Sequence, residues 1–340
     1  MLFPQSQLLV RNIADLQGQI LLVEPMADTL GHELSHQGVA FSVYTTDAAV
    51  GQSFPTAQQL QVAAHLTLPS PTRFDSVVIF YPKSKEQLPE LLGEIKPYID
   101  ATTEIYLVGD NKGGIKSLPA QAQKLGLHAH KLDNAKHCLW FALSGLMQAS
   151  LPQASLQQFA WDVLGTSLTL YSRPGVFNHG RLDQGTALLL STLGFLRDSN
   201  AANVLDFACG AGVIGLYLKT LNHKLTITAS DICALAISAT DASFAHAGFT
   251  VTSYCQAGLP KGRFDHIVSN PPFHTGLKLD LSVAQQFFAQ AKQQLSLGGS
   301  LTLVANSHLP YQEWLQAQFG NVKELARSNA FVVWQAVRKN

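Results

Sequence analysis

Short apolar runs alternate with helically periodic segments along this chain, and they come in two similar sets. Strands are expected over 20–25, 41–47, 76–81 and 104–109, with a helical pattern over 85–99 between the last two. The second set falls at 203–207, 225–231, 264–269 and 299–305. A strand buried on both faces of a parallel sheet reads as a continuous apolar run, so this alternation predicts α/β layers. The sets also share landmarks. Phe74-Asp75-Ser76-Val77-Val78 lies opposite Phe264-Asp265-His266-Ile267-Val268, which puts Phe80 opposite Asn270 and Pro82 opposite Pro272. Glu24 precedes Asp47 by 23 positions, and Asp206 precedes Asp231 by 25. These correspondences predict an internal duplication of one α/β unit. Its boundary falls between Gln153 and Tyr171, giving domains at 1–160 and 161–340.

With 340 residues, each half can bury its own core. Charged residues make up only 14% against 46% hydrophobic, a globular balance rather than a disordered one. No run is long and apolar enough for a membrane helix, and the N-terminus lacks the basic-then-apolar order of a signal peptide. Cys138, Cys209, Cys233 and Cys255 form no CxxC pair, so reduced thiols in a cytoplasmic protein are expected and a zinc site is not. Net charge is zero but uneven: residues 1–170 hold 10 Lys and Arg against 14 Asp and Glu, and residues 171–340 hold 13 against 9. A polyanion would meet the second half more readily.

The second copy carries the chemistry. Asp206-Phe207-Ala208-Cys209-Gly210-Ala211-Gly212 follows a strand and opens a helix, where glycines permit a tight turn and close approach to a ligand. Asp231 ends the next strand, placed to accept the ribose hydroxyls of a nucleoside cofactor. The loop lacks a third glycine in GxGxxG register and has no Lys-Ser/Thr, which argues against a pyrophosphate. An acid at Asp206 suits a cationic amino-acid moiety, so the pattern favours S-adenosylmethionine over NAD; a loop cap is the competing role for Asp206. No acid stands in Cys255-Gln256-Ala257-Gly258 to receive an adenine amine. In the first copy Pro25-Met26-Ala27-Asp28 replaces the glycines and Phe80 replaces Asn270, so that copy is expected to be catalytically silent.

Ser269-Asn270-Pro271-Pro272-Phe273-His274 supplies the other half of the site. Neither proline can donate to a ladder, so the strand must turn out of the sheet there. Asn270 Oδ1 and the Pro271 carbonyl are then placed to accept from a planar NH2 group and aim its nitrogen at a methyl donor. Phe273 is placed to stack on an extruded base. His274 has no visible carboxylate partner and is expected to be a pocket wall or RNA contact. Between the halves, the stretch from Gly175 to Thr186 combines turn glycines with His179, Arg181 and Asp183 before a helical pattern over 187–196. It is expected to fold over the cofactor pocket as a lid, with Asp183 on the cofactor side.

Tyr171-Ser172-Arg173-Pro174-Gly175-Val176-Phe177-Asn178-His179-Gly180-Arg181-Leu182-Asp183-Gln184-Gly185-Thr186, taken with Asp206 to Gly212 and Ser269 to His274, resembles the ribosomal RNA small subunit methyltransferase C family. Lys83-Ser84-Lys85 and Gly109-Asp110-Asn111-Lys112-Gly113-Gly114 resemble that family's first domain, so the likeness covers nearly the whole chain. It implies two tandem Rossmann-like class I methyltransferase domains, the first degenerate and serving structure or RNA positioning. It further implies S-adenosylmethionine as cofactor and N2-methylation of a guanine in 16S rRNA, with the 30S subunit as partner. Asp206, Gly210, Gly212 and Asp231 would bind cofactor, and Asn270, Pro271 and Phe273 would handle guanine. Phe207 stands where an aliphatic is commoner, a change expected to alter only packing. The alternatives are a sister enzyme acting on large-subunit rRNA, a release-factor glutamine methyltransferase, a DNA adenine methyltransferase, and a non-catalytic RNA-binding assembly factor. A covalently paired duplicate is expected to act as a monomer.

Overall fold

The computed structural model describes residues 1–200, 202–271 and 281–339. The chain divides into two compact units, Met1–Ser155 and Leu156–Asn340. The first unit contains α1 (Pro4–Arg11), β1 (Ile20–Val23), α2 (Leu30–His36), β2 (Phe41–Thr45), α3 (Ala48–Gln52), β3 (Leu60–Val62), β4 (Ser76–Phe80), α4 (Gln87–Ile95), β5 (Glu104–Asp110), α5 (Leu118–Lys124), β6 (His128–Ala135) and β7 (Cys138–Ser144). The second opens with the hairpin β8 (Gln157–Val163) and β9 (Thr166–Ser172), followed by α6 (Gln184–Leu190). Then come β10 (Asn203–Phe207), α7 (Val213–Leu221), β11 (Thr226–Asp231), α8 (Ala234–His246), β12 (Thr252–Cys255), β13 (Phe264–Ser269), α9 (Leu281–Gln294), β14 (Leu295–Asn306), α10 (Tyr311–Phe319), β15 (Val322–Arg327) and β16 (Phe331–Val337).

Each unit has one seven-stranded sheet, and the two sheets share a single topology. The orders are β3-β2-β1-β4-β5-β7-β6 and β12-β11-β10-β13-β14-β16-β15. The first five strands of each order run parallel and the last two pairings are antiparallel. The middles of the central strands are apolar and buried: Leu22, Val23, Val78 and Ile79 in one unit, and Val204, Leu205, Ile267 and Val268 in the other, are fully buried. A shared anchor supports common descent. Asp75 Oδ2 accepts from Gln19 N–H at 2.7 Å at the start of β1, and Asp265 Oδ2 accepts from Asn203 N–H at 2.9 Å at the start of β10.

That anchor corrects the expected alignment of the acids. Ile20 pairs with Ser76 and Val204 with His266, so Leu22, not Glu24, corresponds to Asp206. On the neighbouring strand Val23 pairs with Tyr44 and Phe207 with Ser230, so Thr45, not Asp47, corresponds to Asp231. The pairing of Phe80 with Asn270 follows from the same anchor. Two other expectations are adjusted. The helix expected over 187–196 begins earlier, at Gln184, and breaks after Leu190 into a short 3-10 turn at Leu193–Leu196. The stretch read as the domain boundary, 153–171, contains the β8–β9 hairpin, whose turn is Leu164 (φ 52) and Gly165 (φ 77).

Candidate active site

The cofactor loop grows directly out of β10. Ala208 (φ 58), Gly210 (φ 57) and Gly212 (φ 79) adopt left-handed backbone, which swings the chain sharply from strand to helix. Three contacts pin the loop. Asp231 Oδ2 accepts from Gly210 N–H at 2.9 Å, Thr240 Oγ1 donates to the Gly210 carbonyl at 3.0 Å, and Cys209 N–H donates to the Ser230 carbonyl at 3.1 Å. A Cβ on Gly212 would approach Thr240 Cγ2 to 2.9 Å, whereas a Cβ on Gly210 would meet nothing within 4 Å. Gly210 therefore faces open space, and any side chain there would fill it.

That space is a cavity of about 270 Å³ lined by Gly175, Val176, Phe177, Ala208, Gly210, Asp231, Cys233, Ala236, Asn270 and Pro271. A smaller hollow beside it shares Phe177, Ala208, Gly210 and Asn270 and adds Asp183, Thr186 and Trp161. The segment expected to be a lid does line both hollows, and Phe177 is 62% exposed at their common rim. Trp161, from the unanticipated hairpin, and Cys233 and Ala236, from the start of α8, were missed; nothing in their local sequence signals a ligand.

The two acids differ in placement. Asp231 lines the cavity; its Oδ1 accepts from Cys233 N–H at 2.9 Å while Oδ2 holds Gly210. A strand-end carboxylate lining the cavity is the group type that accepts from the ribose hydroxyls of a nucleoside cofactor. Asp206 lies beneath the loop with no exposed surface, and its Oδ2 accepts from Gly215 N–H at 2.8 Å on α7. It ties the end of β10 to the first turn of α7 and lines neither hollow. Its Oδ1 has no hydrogen-bond partner among the described residues. Complete burial pushes the Asp206 carboxyl up to about 7; the Gly215 N–H opposes this and the nearby Asp231 charge adds to it. Phe207 stacks on Phe287 with ring centroids 4.6 Å apart, a packing role as expected.

Asn270 follows the last residue of β13. Ser269 Oγ donates to the Phe207 carbonyl at 2.7 Å, tying the ends of β13 and β10 together. Asn270 Nδ2 donates to Asp183 Oδ2 at 2.9 Å and to Thr186 Oγ1 at 2.8 Å. Both amide hydrogens are thereby used, and the amide oxygen becomes the acceptor available to the cavity. Pro271 is buried beside it. Phe273 and His274, both expected at the site, lie outside the described residues.

In the first unit the same positions are closed. Glu24, left-handed at φ 52, turns its carboxylate onto the end of β2, accepting from Thr46 Oγ1 at 2.7 Å, Thr45 Oγ1 at 3.0 Å and Thr46 N–H at 3.1 Å. Burial raises its carboxyl above the usual range, against those hydrogen bonds. Where the second unit's strand-end acid reaches across to a glycine loop, the first unit's loop acid reaches back to the threonines at the end of β2.

A strand-end carboxylate at Asp231 and a glycine cradle open at Gly210 fit a nucleoside cofactor. The comparisons agree: residues 167–335 match the methyltransferase small domain, and residues 6–161 match the methyltransferase small domain N-terminal region. Fold and site together define a Rossmann-like methyltransferase with a degenerate first copy. Among curated proteins, ribosomal RNA small subunit methyltransferase C of Pseudoalteromonas translucida is 37% identical over 338 residues, covering 97% of this chain and 98% of that one. The Marinomonas sp. protein of the same name is 38% identical over 351 residues, covering 97% and 96%. A solved structure of a T. thermophilus 16S rRNA N2 G1207 methyltransferase, in complex with AdoMet and guanosine, superposes with a TM-score of 0.83 at 23% identity over 99% of this chain and 92% of that one. The chain belongs to the ribosomal RNA small subunit methyltransferase C family.

Proposed function

We propose that this chain methylates the exocyclic N2 amine of a guanine in 16S rRNA with S-adenosylmethionine as donor. We further propose that it acts on the 30S subunit, as a monomer in the cytoplasm. The carrying observation is Asn270: its amide is held through Nδ2 by Asp183 and Thr186, at the rim of a cavity that the glycine loop also lines.

S-adenosylmethionine, when bound, supplies an electrophilic methyl group on a sulfonium. Asp231 would accept the ribose hydroxyls and Gly210 and Gly212 would let the backbone approach closely, while Asp206 ties the end of β10 to the first turn of α7. Asn270 Oδ1 and the Pro271 carbonyl accept the two N–H bonds of the guanine amine. That pair of acceptors turns the nitrogen lone pair out of conjugation with the ring and fixes it in line for attack, a positional contribution that reaches several kcal/mol in well-oriented reactions. No side-chain base is needed before attack: the amine nitrogen becomes more acidic once it carries the methyl group and then loses its extra proton to water. The same acceptors disfavour a nucleophile without N–H groups. The relatives' common name, carried by proteins at 33–38% identity over nearly the whole chain, supports rRNA of the small subunit as the substrate.

The test offers labelled S-adenosylmethionine with separated 16S and 23S RNA and with assembled 30S particles, then maps the modified nucleotide. Label in a 16S guanine N2 is the expected result. Label confined to 23S RNA, DNA or protein overturns it.

A further inference from the structure

We infer that Asp183 is a positioning residue that aims the Asn270 amide, rather than the cofactor ligand its place in the sequence suggested, and that it couples this aim to the segment folded over the cavity. The inference rests on Asn270 being the amine-holding residue.

Three features carry it. First, Asp183 Oδ2 accepts from Asn270 Nδ2 at 2.9 Å and from Thr186 N–H at 2.8 Å, so one oxygen both caps α6 and orients the amide. Second, Thr186, only 4% exposed, gives Nδ2 its second acceptor at 2.8 Å. With both amide hydrogens directed into α6, a flip of the amide would face its oxygen toward a carboxylate, which charge repulsion forbids. Third, a Cβ on Gly185 would lie 2.9 Å from that same Oδ2 and 3.2 Å from the Phe331 ring. A side chain at 185 would therefore press on the carboxylate that orients Asn270.

The consequence is mechanical. Asp183 ends the segment that lines the cavity from Gly175 onward, so the segment's position and the direction of Asn270 Oδ1 are set by one hydrogen-bonded cluster. An anionic acceptor makes the Nδ2 contact stronger than a neutral one would.

The test uses the full chain, with S-adenosylmethionine and 16S RNA or 30S particles. Asp183→Ser keeps a good N-cap for α6 but is too short to reach Asn270. Thr186→Val keeps the backbone donor of the cap and removes the hydroxyl acceptor. Each is expected to lower kcat roughly 10- to 100-fold, with the S-adenosylmethionine Kd and the melting temperature near those of the parent. Asp183→Asn, which retains a side-chain oxygen for both donors, should recover part of the rate. If Asp183→Ser does not fold, Thr186→Val and Gly185→Ala decide the matter, the latter by pushing the carboxylate off Asn270. Parental kcat in these variants overturns the inference, as does a raised S-adenosylmethionine Kd with kcat unchanged. Asn270→Ala is the control: if it retains turnover, the reading of Asn270 fails, whereas an inactive Asn270→Ala beside fully active Asp183 and Thr186 variants removes only the inference.

Discussion

Asp231 reaches from the end of β11 to the glycine loop, accepting the Gly210 N–H at 2.9 Å, while its other oxygen holds Cys233 N–H at 2.9 Å. The acid thus shapes the cradle and lines the cavity that the cradle borders. Asp231→Ala should weaken S-adenosylmethionine binding on both counts. Hydrogen bonds to a charged group contribute about 1.5–3 kcal/mol each, so titration calorimetry should show a loss of tenfold or more. An unchanged Kd would take Asp231 out of the site.

Gly210 and Gly212 should separate binding from stability. Both are left-handed, so a side chain at either costs about 1–2 kcal/mol. At Gly212 the new Cβ also meets Thr240, and Gly212→Ala should lower the melting temperature more than Gly210→Ala does. At Gly210 the Cβ enters the cavity, so Gly210→Ala should raise the cofactor Kd at smaller cost in stability. Thermal melts and calorimetry on both variants check the ordering.

Asp206 gives a signed pH dependence. Its carboxyl rises on folding from an ordinary 3.8 to about 7, chiefly through burial. The folded chain therefore holds a proton that the unfolded chain releases across this window. The stabilising contribution is full below pH 3.8 and is lost as pH rises toward about 7. Asp206→Asn has no such titration. Its melting temperature relative to the parent should climb from pH 4 to pH 7 and then level, measured without cofactor. A pH-independent difference would contradict the burial argument.

Much of this was legible in the sequence because it rests on local rules. Continuous apolar runs mark the parallel strands, and β10 and β13 fall at 203–207 and 264–269 as read. The glycines after β10 and the Asn270-Pro271 step after β13 mark where those strands end. Alignment of the two copies by their acids was two residues out, because Glu24 and Asp47 look like Asp206 and Asp231 in spacing but not in register. Only the Asp75 and Asp265 anchors, fixed by strand pairing, reveal that Leu22 and Thr45 hold those places. The β8–β9 hairpin escaped notice because its turn is Leu164-Gly165 rather than Asn-Gly. Asp183 was placed on the cofactor side because its partner Asn270 is 87 positions away and nothing in spacing links them.

Asn270→Ala gives the most direct test of the central claim that a pinned amide holds the target amine. With the full chain, labelled S-adenosylmethionine and 16S RNA or 30S particles, methyl transfer should fall to background while cofactor affinity stays within about twofold of the parent. Methyl transfer at the parental rate would contradict the account.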